Sequence, residues 1–238
     1  MTQLTGSERA KYVQNMFTRI ARRYDLMNRL MTGWQDVRWR KRVIELAQLN
    51  PHASLLDLGT GTGDLAREAL AAFPQARVVG ADFTLEMMRV GRRAGTLDFA
   101  AADALQLPFP DFAFDAAVSG FLMRNVIDLQ KALEEQYRIL KPGGRIVILD
   151  TTRPKRNILS PFIWFHMHFV IPTLGGLVTG SPDAYRYLPE TTEGFVTAEE
   201  MAARMAKAGF KNIGFQRYMF GTIAIHWGEK VLEAGDVK

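Results

Sequence analysis

Short apolar runs alternate with amphipathic segments from residue 54 onward, and this alternation limits the possible folds more than any other feature. The runs are SLLDLG, RVVGAD, DFAAAD, DAAVSGF and RIVILDT. Several of the segments between them show the three-and-four apolar spacing of a helix face. Strands that are apolar on both faces belong in a parallel sheet covered on both sides. The sequence therefore predicts a doubly wound α/β fold with helices on both faces of a mostly parallel sheet.

The first 50 residues are predicted to form a helical cap before the first strand. Apolar residues between Ser7 and Met31 follow one helix face, and a second helix is predicted from about Gln35 to Leu49. This segment holds 10 Lys and Arg against 4 Asp and Glu, whereas the whole chain carries a net charge of +5. The basic surplus is therefore N-terminal. Solvated helix faces explain it, and contact with an anionic membrane surface is the alternative.

The apolar segment ILSPFIWFHMHFVIPTLGGLVTG interrupts the alternation. No charged residue lies between Arg156 and Asp183. A bilayer span needs ~20 apolar residues in an intact helix, and Pro161 and Pro172, with internal Gly and His, argue against one. Two interpretations stay open: a helix buried between sheet strands, or a lid over a pocket for an apolar ligand that touches the membrane.

The C-terminal region is predicted to contain a helix near 197–208 and two strands, 212–220 and 222–228. Because the junction around Gly221 is short, the strands must form a hairpin, and one antiparallel strand should close the sheet. The length of 238 residues suits one main domain. We divide it into a cap (1–50), a cofactor-binding core (51–156), a lid insert (157–196), and a final helix with its hairpin (197–230).

Composition excludes several kinds of site, and the first residues indicate the cellular location that we expect. The chain has no Cys, which excludes disulfides, thiolate nucleophiles and sulfur-based metal sites. The first residues lack the apolar core of a signal peptide, so we expect a cytoplasmic protein. The four His show no metal spacing apart from the pair His166 and His168, which diverge on a helix. We therefore predict no metal.

The string LLDLGTGTGDL at 55–65 runs from a predicted strand into a predicted helix and contains Gly59, Gly61 and Gly63. Glycines here let the backbone turn sharply and approach a ligand, with free N–H groups at the helix start. The dinucleotide fingerprint would need a third glycine at position 64, where Asp64 would repel a pyrophosphate. The pattern favours a nucleoside cofactor with a positive group and no phosphate. S-adenosyl-L-methionine fits this description.

Three acidic residues lie in or at the end of successive predicted strands, where open α/β sheets bind ligands. Asp82 lies at the position where an acidic side chain meets ribose hydroxyls in nucleotide-binding folds. Asp103, with Ala104 after it, is a candidate acceptor for the adenine amino group. Asp57 is a charge within an apolar run, which is costly unless it is bonded. It either fixes the glycine loop or faces the methionine ammonium.

The sequence resembles the class I S-adenosylmethionine-dependent methyltransferases, and within them the menaquinone/ubiquinone biosynthesis C-methyltransferase family. The resemblance covers about residues 12–230 and is carried by MFTRIARRYDLMNRLM, LLDLGTGTGDL, VVGADFTLEMM, FLMRNVIDLQKALEEQYRILKPGGRIVILD, AYRYLPET and TIAIHWG. It implies a seven-stranded sheet whose last strand is antiparallel. It also implies cofactor contacts from Thr62, Asp82, Asp103, Ala104 and Gly120.

The chain departs from the pattern of that family at three positions. Leu122 stands where the family usually has a glycine, Thr191 where it has a serine, and Val196 where it has a proline. Leu122 lies beside the presumed substrate mouth, so its bulk is expected to influence which ring is accepted.

Methyl transfer to a ring carbon requires a phenolate stabiliser and a proton acceptor. Arg124 presents a fork of donors for a phenolate oxygen, with Asn125 beside it; a surface salt bridge is the alternative. His226 titrates near neutrality and is a candidate proton acceptor, or else a bonded structural histidine. Three tyrosines, Tyr24, Tyr185 and Tyr187, are expected to shape the substrate pocket.

These features together predict an S-adenosyl-L-methionine-dependent C-methyltransferase that acts on a ring carbon of an apolar prenylated quinol precursor. The insert would cover the isoprenoid tail, and the protein would touch the inner face of the membrane peripherally. A homodimer is an assembly that the sequence allows. Methylation of another apolar molecule or lipid on nitrogen or oxygen stays an alternative, as does a catalytically silent cofactor-binding protein. A nucleic-acid partner is not expected, because the basic surplus is confined to one segment.

Overall fold

A computed structural model describes residues 6–231 of the chain, except residues 96, 155–157, 159 and 181. For residues 182, 183 and 186 it describes the backbone alone. The start of the predicted cap (1–5) and the predicted boundary between 156 and 157 lie outside the described residues.

A seven-stranded sheet forms the centre of the described part of the chain, in the order β3-β2-β1-β4-β5-β7-β6. The strands are β1 (Ser54–Leu58), β2 (Arg77–Asp82), β3 (Asp98–Ala101), β4 (Phe114–Gly120), β5 (Leu140–Thr151), β6 (Lys211–Tyr218) and β7 (Ile223–Glu229). Strand β1 pairs in parallel with β2 and β4, whereas β7 is antiparallel to both β5 and β6. The predicted mostly parallel sheet with an antiparallel last strand is confirmed.

Helices cover both faces of the sheet because the buried strands are apolar on both sides. Leu55 of β1 packs on one face with α3 (Gln35–Ala47) and α4 (Asp64–Ala72). Leu56, the next residue, packs on the other face with α6 (Leu129–Ile139) and α10 (Ala198–Lys207). Helix α5 (Leu85–Arg92) follows β2. Alternate residues of one strand thus enter two separate cores.

The N-terminal cap contains a break that the apolar spacing did not predict. Helix α1 (Gly6–Ile20) passes through a 3-10 turn (Ala21–Arg23) into α2 (Tyr24–Thr32), so the expectation of one continuous helix to Met31 was wrong. The two helices meet in one apolar cluster through Met16 and Met27. The turn changes the course of the chain before α2, and residues of α2 line the cavity at the sheet.

The insert is a continuous helical run that lies on the surface. It comprises α7 (Ser160–Phe165), a π turn (His166–Val170) and α8 (Ile171–Thr179), and α9 (Pro182–Glu193) follows. The amide of Ile171 donates to the carbonyl of His166 five residues earlier. This wider turn lets the helix accommodate Pro172, which has no N–H to donate. The predicted interruption by proline was therefore wrong.

By length and composition, the run Ser160–Thr179 is sufficient to cross a bilayer, and its most apolar window is only 17% buried within the fold. The interpretation as a helix buried between strands was therefore wrong. One side of the run, at Met167 and Ile171, packs on the cap cluster beside Met16 and Met27. The other side faces outward.

Candidate active site

A cavity opens at the carboxyl ends of β1, β2 and β4, where the strand order reverses and where open α/β sheets bind ligands. Helices α1 and α2 cover it. Of the predicted cofactor residues, those that line it are Asp57, Gly59, Gly61, Thr62, Asp82, Asp103, Ala104 and Gly120.

The N–H groups of the glycine loop are largely consumed within the chain. Those of Gly59 and Thr60 both donate to the carbonyl of Ala81, at 2.8 and 3.0 Å. The N–H of Gly61 donates to Asp82 Oδ2 at 2.8 Å. The expectation of free N–H groups was wrong for these residues. A phosphate cradle needs free donors, so the loop as folded suits a cofactor without phosphates.

Gly63 is the one predicted cofactor residue of the loop that faces away from the cavity. Its N–H donates to the carbonyl of Thr60 at 2.8 Å. It adopts a φ of 89°, and a Cβ at this position would lie 2.7 Å from Leu97 Cδ2. Gly63 therefore permits close packing between the loop and the α5–β3 connection, and the assignment to cofactor contact is corrected.

Asp57 fixes the loop to α4. Its Oδ2 accepts hydrogen bonds from Thr60 Oγ1 at 2.6 Å and from the N–H of Ala66 at 3.0 Å. Burial raises the pKa of Asp57 to about 7, against the lowering effect of these bonds. Of the two roles considered for Asp57, the structure shows the loop contact.

Asp82 and Asp103 stand at neighbouring strand ends. Asp82 accepts from the N–H groups of Gly61 and Thr84, and burial raises the pKa of its carboxyl above the usual range. Asp103 is exposed and accepts from the N–H of Leu105 at 2.9 Å. Both carboxylates line the cavity, as the sequence predicts.

Polar contacts tie the cap to the glycine loop. Thr62 Oγ1 donates to both oxygens of Asp25, at 2.8 and 2.9 Å. Burial, reinforced by the nearby charge of Asp64, raises the pKa of Asp25. Asp64 itself accepts from Arg40 and Arg67 and lies 3.6 Å from Arg29. Its charge is therefore offset by arginines, so the repulsion of a phosphate expected from Asp64 is weakened.

The lining of the cavity is strongly acidic. It contains five aspartates, Asp25, Asp57, Asp64, Asp82 and Asp103, against a single basic residue, Arg40. A ligand with a sulfonium and an ammonium group fits this balance, because opposite charge is attracted most strongly where water is displaced. The residues present thus fit S-adenosyl-L-methionine.

The end of β4 is an unusual turn held by two side chains. Phe121 has a φ of 60°, a left-handed conformation that is costly for a bulky residue. Its carbonyl accepts from Arg124 Nη1 at 2.9 Å and from Asn125 Nδ2 at 3.0 Å. Arg124 Nη1 also lies 2.7 Å from Asp150 Oδ1, and both side chains are buried. The salt bridge that was the alternative role for Arg124 is therefore present, but it is buried and does not lie at the surface.

A second, largely apolar cavity lies between the insert and the edge of the sheet. It shares Asn28 and Phe121 with the cofactor cavity. Its other lining residues include Met31, Arg124, Phe162, Ile163, His166, Met167, Ile171, Leu188, Met219, Phe220 and Ile223. An apolar chamber therefore adjoins the cofactor cavity, and the Phe121 turn separates the two.

The predicted substrate residues occupy different places. Tyr24 and Asn125 line the cofactor cavity. Burial raises the pKa of Tyr24 against the lowering charge of Arg124. Tyr187 lines a separate groove near Arg9. Tyr185 packs on α8, where a Cβ on Gly175 would lie 2.2 Å from its ring, and it lies outside the cavity linings described above. The expectation that Tyr185 shapes the pocket directly is corrected to a packing role.

His226 does not reach either cavity. It pairs with Ile148 in mid-strand, on the face covered by α10, and its Nε2 lies 3.0 Å from the carbonyl of Ala198. Burial lowers its pKa to about 4. A histidine held neutral within the core, away from the strand ends, cannot accept the substrate proton. The structure thus supports the alternative role, a bonded structural histidine. Among the described residues no cluster of three or more His, Asp or Glu has metal-binding geometry.

Three residues of the site were missed by sequence reasoning, namely Asn28, Asp150 and Phe121. Asn28 follows Tyr24 by four residues, which places both on one helix face. Asp150 ends the strand beside the one that precedes Arg124, so the ion pair was detectable from strand adjacency. The left-handed turn at Phe121 has no comparable sequence signal, because it depends on the tertiary contacts of its carbonyl.

Comparison with known proteins identifies the family of this chain. The family model described as the ubiE/COQ5 methyltransferase family matches residues 4–230. The chain belongs to this family. The ubiquinone/menaquinone biosynthesis C-methyltransferase UbiE of Desulfotalea psychrophila is 45% identical over 221 residues, covering 92% of this chain and 90% of that protein. The demethylmenaquinone methyltransferase of Thermus thermophilus is 46% identical, covering 90% of this chain and 100% of that protein.

Solved structures agree with the fold of this methyltransferase. A methyltransferase from Thermotoga maritima, described as a possible histamine N-methyltransferase, superposes with a TM-score of 0.63 at 20% identity, covering 91% of this chain and 98% of that one. Human N-acetylserotonin methyltransferase gives a TM-score of 0.60 at 21% identity, covering 88% and 56%. The expected S-adenosyl-L-methionine-dependent methyltransferase is confirmed through the family.

Proposed function

We propose that the enzyme methylates a ring carbon of a prenylated quinol precursor, either demethylmenaquinol or a ubiquinol precursor, with S-adenosyl-L-methionine as methyl donor. The observation that carries this proposal is the apolar cavity beside the acidic cofactor cavity, joined through Phe121 and Asn28. An isoprenoid tail needs an apolar chamber, and the ring at its head must reach the cofactor. The names of the relatives from Desulfotalea and Thermus support the same substrate class.

When bound, S-adenosyl-L-methionine supplies a methyl group on a sulfonium whose leaving group is neutral. The chain mostly supplies alignment, which contributes about 7–11 kcal/mol where two reactants are held in attack geometry. Asp82 and Asp103 would hold the nucleoside, and the acidic lining would stabilise the positive charge. The Phe121 turn, held by Arg124 and Asn125, fixes the wall against which the ring packs.

A ring carbon becomes nucleophilic when its hydroquinol loses a proton to water. After the methyl group has been transferred, the same carbon gives up its hydrogen as a proton and the ring oxygen is reprotonated, so that one proton is released in all. Arg124 places a positive charge at the wall of the apolar cavity and near Tyr24, although part of that charge is offset by Asp150. Burial raises the pKa of Tyr24, so its hydroxyl is protonated at neutral pH and has a hydrogen to donate. These donors stabilise charge on the ring oxygen, whereas His226 takes no part.

The test is turnover with a panel of quinols. We expect methylated product from demethylmenaquinol or from a benzoquinol precursor, and none from a water-soluble catechol of similar size. Tight binding of S-adenosyl-L-methionine without any methylated quinol would contradict the proposed substrate. Failure to bind S-adenosyl-L-methionine at all would contradict the assignment of the chain as a methyltransferase that uses this cofactor.

The exposed side of the insert supports a peripheral membrane location. Large side chains that are half or more exposed there are Phe162, Trp164, Phe165, Phe169 and Leu177. Arg23 Nη1 donates to the carbonyl of Val178, which brings the basic cap to the end of this helix. Aromatic groups beside exposed Arg favour an anionic lipid interface. We therefore propose that the enzyme works in the cytoplasm, at the inner face of the membrane.

A second copy of the chain is the alternative occupant of this apolar surface. A homodimer would cover the same aromatic side chains, but it gives no role to the basic charge of the cap, which an anionic lipid surface would attract. Sedimentation in the absence of lipid distinguishes the two, because the lipid proposal predicts a monomer that binds vesicles.

A further inference from the structure

Asn28 is a buried amide where the cofactor cavity and the apolar cavity meet. It lines both cavities, and its exposed fraction is 6%. Its Nδ2 group finds no hydrogen-bond acceptor among the described residues. Buried donors without acceptors destabilise a fold and are kept rarely. One that faces a cavity indicates an acceptor that arrives with a ligand.

Hydrogen bonds at the C-terminal end of α2 anchor the main chain of Asn28. Thr32 Oγ1 donates to the carbonyl of Asn28 at 2.8 Å and to Asp36 Oδ1 at 3.0 Å. One turn earlier on the same face, Tyr24 lies near the amide, which lowers the pKa of the hydroxyl without reaching hydrogen-bond geometry. The donor therefore stands on an anchored helix turn and makes no hydrogen bond within the described residues.

A complementary acceptor lies across the Phe121 turn. Asn125 is 9% exposed, and its Nδ2 is bound to the carbonyl of Phe121. Its Oδ1 is buried and has no donor in the part of the chain that the structure describes. The walls beside Phe121 therefore offer one free donor and one free acceptor. A hydroxyl group, which both accepts and donates, satisfies such a pair.

We propose that Asn28 positions the substrate by donating its Nδ2 hydrogen to a ring hydroxyl oxygen of the quinol. This rests on the proposed function and adds a residue and an atom to it. The donor anchors the head of the substrate where the apolar chamber ends. As that hydroxyl loses its proton, the same N–H group stabilises the negative oxygen.

The first test is the substitution Asn28→Leu, which keeps a similar size and removes the unpartnered donor. We expect a melting temperature equal to or above that of the wild type, because a buried unsatisfied group is lost. The KM for the quinol should rise about tenfold or more, with the Kd for S-adenosyl-L-methionine unchanged. Leu26→Ala, at an exposed position on the same helix and outside the lining of both cavities, is the control and should leave the KM unchanged.

A second arm uses two substrate analogues, each lacking one of the two ring hydroxyls. If Asn28 binds one hydroxyl, the analogue without it binds wild type and Asn28→Leu equally, while the other analogue still distinguishes them. This coupling supports the proposal even if the variant is less stable. A quinol KM within about twofold of wild type, or equal losses with both analogues, overturns it. If wild type itself does not methylate the quinol, the proposed function fails instead.

Discussion

Leu122 packs directly on Gly59: a Cβ at Gly59 would lie 2.9 Å from Leu122 Cβ. Gly59 adopts a φ of 69°, and both residues line the cofactor cavity. Leu122 is absent from the lining of the apolar cavity. The residue that departs from the family's usual glycine therefore acts on the cofactor side of the Phe121 turn.

The substitution Leu122→Gly should weaken cofactor binding more than it changes substrate choice. Removing the side chain takes an apolar contact away from Gly59, so we expect the Kd for S-adenosyl-L-methionine to rise several-fold, which corresponds to the lost burial of about one CH₂ group at ~0.8 kcal/mol. Calorimetry measures this. The ratio of kcat/KM for naphthoquinol and benzoquinol substrates should stay within about twofold of wild type. A large change in that ratio with an unaltered Kd would restore the original expectation for Leu122.

Arg124 should matter for stability as well as for turnover. Arg124→Ala leaves the Asp150 carboxylate buried without its partner, so the free energy of unfolding should fall by about 3–5 kcal/mol. The turn at Phe121 also loses a donor. Arg153→Ala is the matched control, since Arg153 pairs with Glu200 at the exposed surface, where a pair contributes about 1 kcal/mol or less. Denaturant unfolding of both variants, with equal losses, would refute the structural role of Arg124.

Cofactor binding should release a proton below neutral pH. Burial raises the pKa of Asp57 to about 7 in the free protein, so most of the population is protonated at pH 6. A cationic ligand favours the carboxylate and lowers that pKa. Affinity should therefore increase as the pH rises from about 6 to 8.

Calorimetry in buffers of different ionisation enthalpy measures this proton directly. Asp57→Asn, whose side chain does not titrate, should reduce the release. Proton uptake on binding would show the opposite linkage and would contradict the raised pKa. The absence of any proton release from the wild type at pH 6 would also contradict the raised pKa of Asp57.

The apolar surface of the insert should control lipid binding. The double substitution Phe165→Ser with Leu177→Ser removes side chains that are 56% and 78% exposed and that lie outside the lining of the apolar cavity. We expect weaker binding to anionic vesicles and lower turnover of a long-tailed quinol presented in them. Turnover of a short-tailed soluble analogue should fall much less.

Phe112→Ser is the control for this experiment. Phe112 is also a large exposed apolar side chain, but it immediately precedes β4 and so lies at the amino ends of the parallel strands, whereas both cavities lie at their carboxyl ends. Its substitution should leave vesicle binding unchanged. If Phe112→Ser weakens vesicle binding as much as the double substitution does, the insert is not the surface that binds lipid.

The fold was predictable where local pattern and tertiary packing agree. The runs around Leu55 and Leu56 are apolar on both faces because each face meets a separate helix layer, and Gly221 marked the hairpin. The break before Tyr24 was not predictable from apolar spacing, since both helices keep the same buried face. The continuity of the insert past Pro172 depends on a π turn, which spacing does not encode.

The site was predictable in the cofactor loop and less so beyond it. Asp57 and Asp82 stand out as charges in and at the end of apolar runs, and the structure places both at the cavity. Gly63 could not be separated from Gly61 by sequence, because the difference lies in the contact with Leu97. His226 looked reactive, but its environment under α10 is set by residues distant in the sequence.

The most direct measurement follows the methyl group itself. The enzyme is supplied with S-adenosyl-L-methionine carrying a ¹³C-labelled methyl group and with demethylmenaquinol in anionic vesicles, and the product is examined by NMR. The account predicts label on a carbon of the quinol ring, at a chemical shift typical of an aryl methyl group. Label on a ring oxygen, or a bound cofactor that transfers no label to any quinol in the panel, would contradict it.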